Sequence, residues 1–126
     1  MSNPNDYFYT KEHEWVEDNG DVVTIGVTDF AQESLGDIVY VELPEVGSDF
    51  EEGDAMGSIE SVKAVSEFFA PVKGKVIEVN KELEYAPDVI NDSPYDSGWI
   101  VKLKIDPLDL PSDFMDESAY LAFTEE

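Results

Sequence analysis

Apolar and polar residues alternate with a period of two along much of the chain. The pattern is clearest in Trp99-Ile100-Val101-Lys102-Leu103-Lys104-Ile105, where Trp99, Val101, Leu103 and Ile105 share one face and both lysines take the other. That is the pattern of a half-buried strand. Shorter runs of the same character cover Val22–Val27, Ile38–Leu43, Ala55–Ile59, Ala64–Phe69 and Lys75–Val79, each bounded by Gly, Pro, Asn or Asp. Six or more short strands predict a mostly β fold, a sandwich or a barrel. Helical periodicity is short and peripheral. Thr28 is placed to cap a helix over Asp29–Leu35, which Gly36 would stop in a left-handed conformation. A second helix is predicted from Ser112, with Ser112 as N-cap, Asp113 in the first turn, and Phe114, Met115, Tyr120, Leu121 and Phe123 packed back on the sheets. Residues 80–98 contain Pro87, Pro94 and Gly98 and read as a long connection before the last strand.

The chain has 126 residues, 42% of them hydrophobic and 12% aromatic, which suits one domain over residues 1–126 with a single core. Charge changes the picture more than length does. Thirty acidic residues oppose seven basic ones, all lysine, for a formal net charge of -23. Such a chain lacks the clustered cations that nucleic acid or an anionic membrane surface would require. Met1-Ser2-Asn3-Pro4-Asn5-Asp6 has neither the basic nor the apolar segment of a secretory signal, so the expected location is the cytoplasm. Cysteine is absent, which removes disulfides and thiolate chemistry from consideration. An acidic excess of this size repels itself unless salt screens it, and the expectation is a halophilic protein whose thermal stability rises with KCl.

Few residues suggest catalysis. With thirty carboxylates, two acids close in sequence carry no information about acid–base chemistry. The run Asp49-Phe50-Glu51-Glu52-Gly53-Asp54 lacks the alternating ligands of a calcium loop, and His13 is the only histidine, so no metal site is expected. No phosphate-binding glycine motif or nucleophile motif is present. The chain does not read as an enzyme on its own. Lys63 stands apart: it is the only lysine between Lys11 and Lys73, and it lies between two strand-like runs in Gly57-Ser58-Ile59-Glu60-Ser61-Val62-Lys63-Ala64-Val65-Ser66. This spacing predicts a hairpin tip, where an amine faces solvent and small neighbours such as Ser61 and Ala64 leave it accessible. Spacing alone leaves open whether Lys63 is a modified residue or a solvated charge.

A series of motifs extends over nearly the whole chain: His13-Glu14-Trp15-Val16, Ile25-Gly26-Val27-Thr28-Asp29, Leu35-Gly36-Asp37, Val41-Glu42-Leu43-Pro44-Glu45-Val46-Gly47, Glu60-Ser61-Val62-Lys63-Ala64, Ala70-Pro71-Val72, Gly74, Asn80, Ala86-Pro87, Ile90-Asn91, Pro94 and Gly98-Trp99. In this order they resemble the lipoyl-carrying H proteins of the glycine cleavage system. The resemblance implies a barrel–sandwich hybrid of antiparallel strands with short peripheral helices, and lipoic acid amide-linked to Lys63. It implies that a lipoylating enzyme reads the placement of the lysine together with Glu60, three residues before it, and Gly74, eleven after it. Glu14 would face the amine of the loaded arm, with Ser61 nearby. Many relatives carry histidine after Thr-Asp where this chain has Phe30, so no polar arm contact is expected from that position.

The same resemblance implies three enzyme partners: glycine decarboxylase with pyridoxal phosphate, aminomethyltransferase with tetrahydrofolate, and dihydrolipoamide dehydrogenase with FAD. The carrier would take an aminomethyl group from the first to the second and be reoxidised by the third. Two other readings share the fold: a lipoyl relay or donor in lipoate metabolism, and a biotinyl carrier domain. The second is disfavoured by Val62-Lys63-Ala64, since biotinyl sites typically show Met-Lys-Met.

Overall fold

The computed structural model describes residues 8–95, 97–109 and 114–124. Nine strands run in the order β1 (Phe8–Tyr9), β2 (Glu14–Asp18), β3 (Val22–Val27), β4 (Ile38–Glu42), β5 (Asp49–Phe50), β6 (Ala55–Ser61), β7 (Val65–Phe69), β8 (Gly74–Val79) and β9 (Val101–Lys104). They form a six-stranded sheet, β1-β2-β3-β9-β8-β5, and a three-stranded sheet, β4-β6-β7, and every pairing is antiparallel. Alternation sets which face of each strand is buried. Val23, Ile25, Val101 and Leu103 from the larger sheet meet Val41, Ile59 and Phe68 from the smaller one in a common core.

The predicted strands are present, with ends moved by one or two residues, and Val22–Val27 coincides with β3. In the last strand Trp99 stays half-buried while Ile100, on the supposedly polar face, is buried. Strands β1, β2 and β5 were not predicted from alternation. β2 reads Glu-Trp-Val-Glu-Asp, and its first three residues are all buried, so it offers no period of two to detect. It is recruited by the turn that follows it: the Asp18 carboxylate accepts the Gly20 N–H at 2.9 Å, and Gly20 takes a φ of 89°.

Helix α1 (Asp29–Leu35) has the predicted ends. The Thr28 hydroxyl accepts the Ala31 N–H at 3.2 Å, and Gly36, with φ 78°, donates its N–H to the Gln32 carbonyl. The expected long connection at 80–98 is more ordered than a loop. It holds a 3-10 turn (Lys81–Glu84) and a short helix α2 (Val89–Asp92), which bury Leu83 and Ile90 in the core. The Asn80 side chain closes the excursion by donating to the carbonyls of Ser97 and Trp99, both at 2.8 Å.

The C-terminal helix α3 spans Glu117–Thr124 and begins later than predicted. The expected Ser112 cap and Asp113 lie outside the described residues. Phe114 and Met115 precede the helix because Met115 exchanges two backbone hydrogen bonds with Tyr9, at 2.8 and 2.9 Å, and so extends the sheet edge instead.

Candidate functional site

The lysine hairpin follows from the register of β6 and β7. Glu60 pairs with Val65, which leaves Ser61–Ala64 as the turn. One side chain holds it. The Ser61 Oγ accepts the N–H groups of Lys63 and Ala64, both at 3.1 Å, and donates to the Ala64 carbonyl at 3.2 Å, while its own N–H donates to the same carbonyl at 2.8 Å. The Val62 N–H donates to the Asp37 carbonyl at 3.0 Å, tying the turn to the entry of β4.

Lys63 is exposed at this tip. Its stem passes over Gly36, whose missing Cβ would stand 3.4 Å from the lysine Cε. The platform under the stem is braced by Asn91. Its amide donates to the Gly36 carbonyl and to the Gln32 side chain, each at 2.9 Å, and accepts the Ile38 N–H at 3.0 Å. Among the described residues the ion pairs are Lys102–Glu78 and Lys104–Asp21, so the Lys63 amine sits in neither.

The other predicted residues are dispersed. Glu60 is exposed, immediately before the turn. Gly74, eleven residues after Lys63, opens β8 in the six-stranded sheet, opposite Phe50. A Cβ there would lie 2.8 Å from the Lys104 carbonyl and from Ile105 Cγ2, so close packing against the strand ending at Lys104 explains a glycine in this fold.

Glu14 is buried at 2% exposure at the start of β2, and its Oε2 accepts the Phe69 N–H at 2.6 Å. Phe69 ends β7, the strand that begins beside Lys63, so Glu14 and Lys63 mark opposite ends of one strand. Burial pushes the Glu14 carboxyl up to about 8, against the opposing pull of the Phe69 N–H, with nearby Glu12 adding to the rise. A cavity of about 260 Å³ opens beside it, lined by Thr10, Glu12, Glu14, Phe69, Ala70 and Pro71 among others. Thr10, Phe69 and Pro71 were missed as site residues. Only Ala70-Pro71 left a signal in sequence, and it did not point to a cavity.

Phe30 does not line that cavity. Its ring rests 4.7 Å from the His13 ring, centroid to centroid. His13, at φ 64°, places Nδ1 2.7 Å from the Tyr120 hydroxyl, and that hydroxyl lies 2.7 Å from the Thr28 Oγ1. The only histidine therefore anchors α3 against the cap of α1.

The fold thus sets an exposed lysine at a tight hairpin tip on a frame of two antiparallel sheets. The profile of the glycine cleavage H-protein family matches residues 7–126. A glycine cleavage system H protein of Anaeromyxobacter sp. (strain K) is 53% identical over 127 residues, covering 100% of this chain and 98% of that one. One from Listeria monocytogenes serotype 4a is 61% identical over 104 residues, covering 82% and 83% of the two chains. The crystal structure of a glycine cleavage system H protein from Mycobacterium marinum superposes with a TM-score of 0.90 at 35% identity, covering 98% of this chain and 100% of that one. The chain belongs to the glycine cleavage H-protein family, and its function is that of the carrier protein in glycine cleavage. These matches favour the glycine cleavage carrier over the lipoate-relay and biotinyl readings.

Proposed function

We propose that residues 1–126 form one lipoyl-carrier domain, with lipoic acid attached through an amide at Lys63. In this reading it moves the aminomethyl group of glycine from glycine decarboxylase to aminomethyltransferase, and dihydrolipoamide dehydrogenase reoxidises it. The observation that supports this is the exposed Lys63 at a turn held by a single serine hydroxyl, with small neighbours and no ion pair among the described residues. A buried or ion-paired amine would not fit an acylated arm. When attached, the group supplies a disulfide that is reduced as the cargo is taken up. The chain supplies no catalytic residue; its part is presentation and protection.

On attachment the Lys63 Nζ displaces the leaving group of an activated lipoyl acyl and gives up a proton. Glu60 and Gly74 serve recognition and strand packing, and Ser61 holds the turn. Glu14 receives the cargo amine. At neutral pH its buried carboxyl keeps a proton, and a cationic amine entering the adjoining cavity supplies the countercharge that lets it ionise. A flexible arm raises the local concentration of cargo at each partner. We place the protein in a salt-rich cytoplasm, in keeping with a net charge of -23. Among the described residues, no helix is long and apolar enough to cross a membrane.

The test is intact mass of protein from its native host. A lipoyl-sized increment that vanishes in Lys63→Ala supports the carrier, while a biotin-sized increment or none rejects it. Lys63→Arg should fold normally and fail as a decarboxylase substrate, because a guanidinium is not acylated in the same way. Retained activity in that variant would put the attachment elsewhere.

A further inference from the structure

Asparagines stand at positions 19, 80 and 91 within the described residues, and the fold treats them differently. Asn80 is buried and donates to the carbonyls of Ser97 and Trp99, while the Asn91 amide is held by Gln32, Gly36 and Ile38. Neither side chain is free to turn. Asn19 is exposed at the bend between β2 and β3, and among the described residues its side chain enters no hydrogen bond. It is also the one asparagine of the chain that a glycine follows.

The bond after Asn19 is bare on one side and flanked by a base on the other. Gly20 has φ 89°, and a Cβ there would meet nothing within 4 Å, so no side chain obstructs approach to its nitrogen. The N–H of that nitrogen is already directed at a carboxylate, since Asp18 Oδ1 accepts it at 2.9 Å. Asp18 is exposed and belongs to neither ion pair among the described residues. The bend itself is fastened: Asn19 donates its N–H to the Val22 carbonyl at 3.0 Å, and Ile105 donates to the Asp21 carbonyl at 2.8 Å. Nucleophile, base and side-chain amide therefore stay within one short turn.

We propose that Asn19 is a self-modification site, at which the Gly20 backbone nitrogen displaces ammonia from the Asn19 side-chain amide while the Asp18 carboxylate takes the nitrogen's proton. The bond formed joins the Gly20 nitrogen to Asn19 Cγ, and the bond broken is Cγ–Nδ2. The proton held by Asp18 leaves with the departing nitrogen as ammonia. Water then opens the cyclic imide at one of its two carbonyls. One opening leaves aspartate; the other leaves isoaspartate, with the main chain rerouted through the side-chain carbon. Neither step calls on an oxidant, a reductant or a metal.

Both products place a carboxylate where a neutral amide stood, next to Glu17, Asp18 and Asp21, so the tip gains charge where repulsion is already concentrated. Isoaspartate also inserts one further carbon into the main chain of the bend, which disturbs the bond from Asn19 to Val22. Glu14 lies at the far end of β2, opposite Val27. The hairpin thus loosens from its tip while the end that holds Glu14 stays paired.

The experiment keeps purified full-length protein folded in mildly alkaline buffer over days, then maps it by digestion and mass. Isoaspartate is scored with an isoaspartyl methyltransferase and labelled S-adenosylmethionine. The peptide containing Asn19 should convert from amide to acid and divide between the two products, while peptides containing Asn80 and Asn91 stay unchanged. Asn19→Gln should abolish the signal, because glutamine has to close a larger ring. Asp18→Ser keeps an acceptor in the bend but no base, and should slow ammonia release severalfold. Amides at the tip of the β2–β3 hairpin should exchange faster in aged protein than in fresh. Asn19 intact in the folded protein after a free peptide of the same residues has reacted overturns the proposal, as does an undiminished rate in Asp18→Ser.

Discussion

At one end of β7, Lys63 stands in water on a turn held by the Ser61 hydroxyl; at the other end, Phe69 donates to a carboxyl sealed beneath the surface. The first end buries almost nothing: Val62, Lys63, Ala64 and Val65 are all exposed. The second is dense. Trp15 follows Glu14 in β2 and is buried, its Nε1 donates to the Pro94 carbonyl at 2.8 Å, and its ring leaves no room for a Cβ at Gly26, which would sit 2.6 Å away. The difference matches the division of work in a carrier. On the proposed reading, a residue to be acylated and then swung between enzymes must not depend on local packing for its place, and a carboxyl proposed to meet a cationic cargo must be withheld from water, so that only the cargo supplies its countercharge.

The comparison is broken most severely at the dense end. Trp15→Ala removes the largest fully buried side chain and strands the Pro94 carbonyl, and should cost about 3–5 kcal/mol of stability. Urea denaturation checks this. A loss below about 1 kcal/mol would mean that the Trp15 site is loosely packed.

Glu14→Gln sharpens it. In the folded chain Glu14 keeps its proton up to about pH 8, while in the unfolded chain it ionises near its ordinary value of 4.5. The folded state therefore binds more protons across that window. The stabilisation is fully present below about pH 4.5 and is lost as pH rises through about 8. Glutamine cannot titrate and still accepts the Phe69 N–H. Relative to the variant, the wild type should lose about 2–4 kcal/mol between pH 5 and 8. Paired denaturation curves at the two pH values isolate this from the many exposed acids common to both proteins. Parallel pH profiles would show that Glu14 is ionised in the fold at neutral pH.

The two ends also differ in how much of them the sequence disclosed. The hairpin was legible because its determinants are local: a lone lysine between two strand-like runs, with a serine two residues before it. Helix α1 was legible for the same reason, through Thr28 and Gly36. What lay around Glu14 was not. β2 is buried on both faces where it matters, so alternation disappears. The Phe69 N–H reaches Glu14 across 55 residues of sequence, and the cavity lining comes from three separate segments. The motif His13-Glu14-Trp15-Val16 pointed to Glu14 by resemblance, but nothing in it announced burial or a raised carboxyl. The packing role of Gly74 was not legible either: the resemblance gave only its spacing of eleven from Lys63, whereas the lack of space beside Lys104 and Ile105 shows only in the fold.

The smallest effect belongs to the exposed end. Ser61→Ala removes the acceptor for the Lys63 and Ala64 N–H groups and a donor to the Ala64 carbonyl, but leaves the backbone bond from the Ser61 N–H in place. Because the freed N–H groups sit at an exposed tip where water replaces the hydroxyl, the global cost should be only about 1 kcal/mol. The local cost is larger in kind, since the turn then samples geometries in which the lysine leaves the tip in other directions. Amide exchange at Lys63 and Ala64 should accelerate while the core strands β3 and β9 stay protected. Lipoylation should slow severalfold, with Ser61→Thr closer to wild type because it retains the hydroxyl. Equal acceleration of exchange at the core amides would instead mean that the hairpin and the dense end unfold as one unit, and that the separation drawn between the two ends of β7 does not exist.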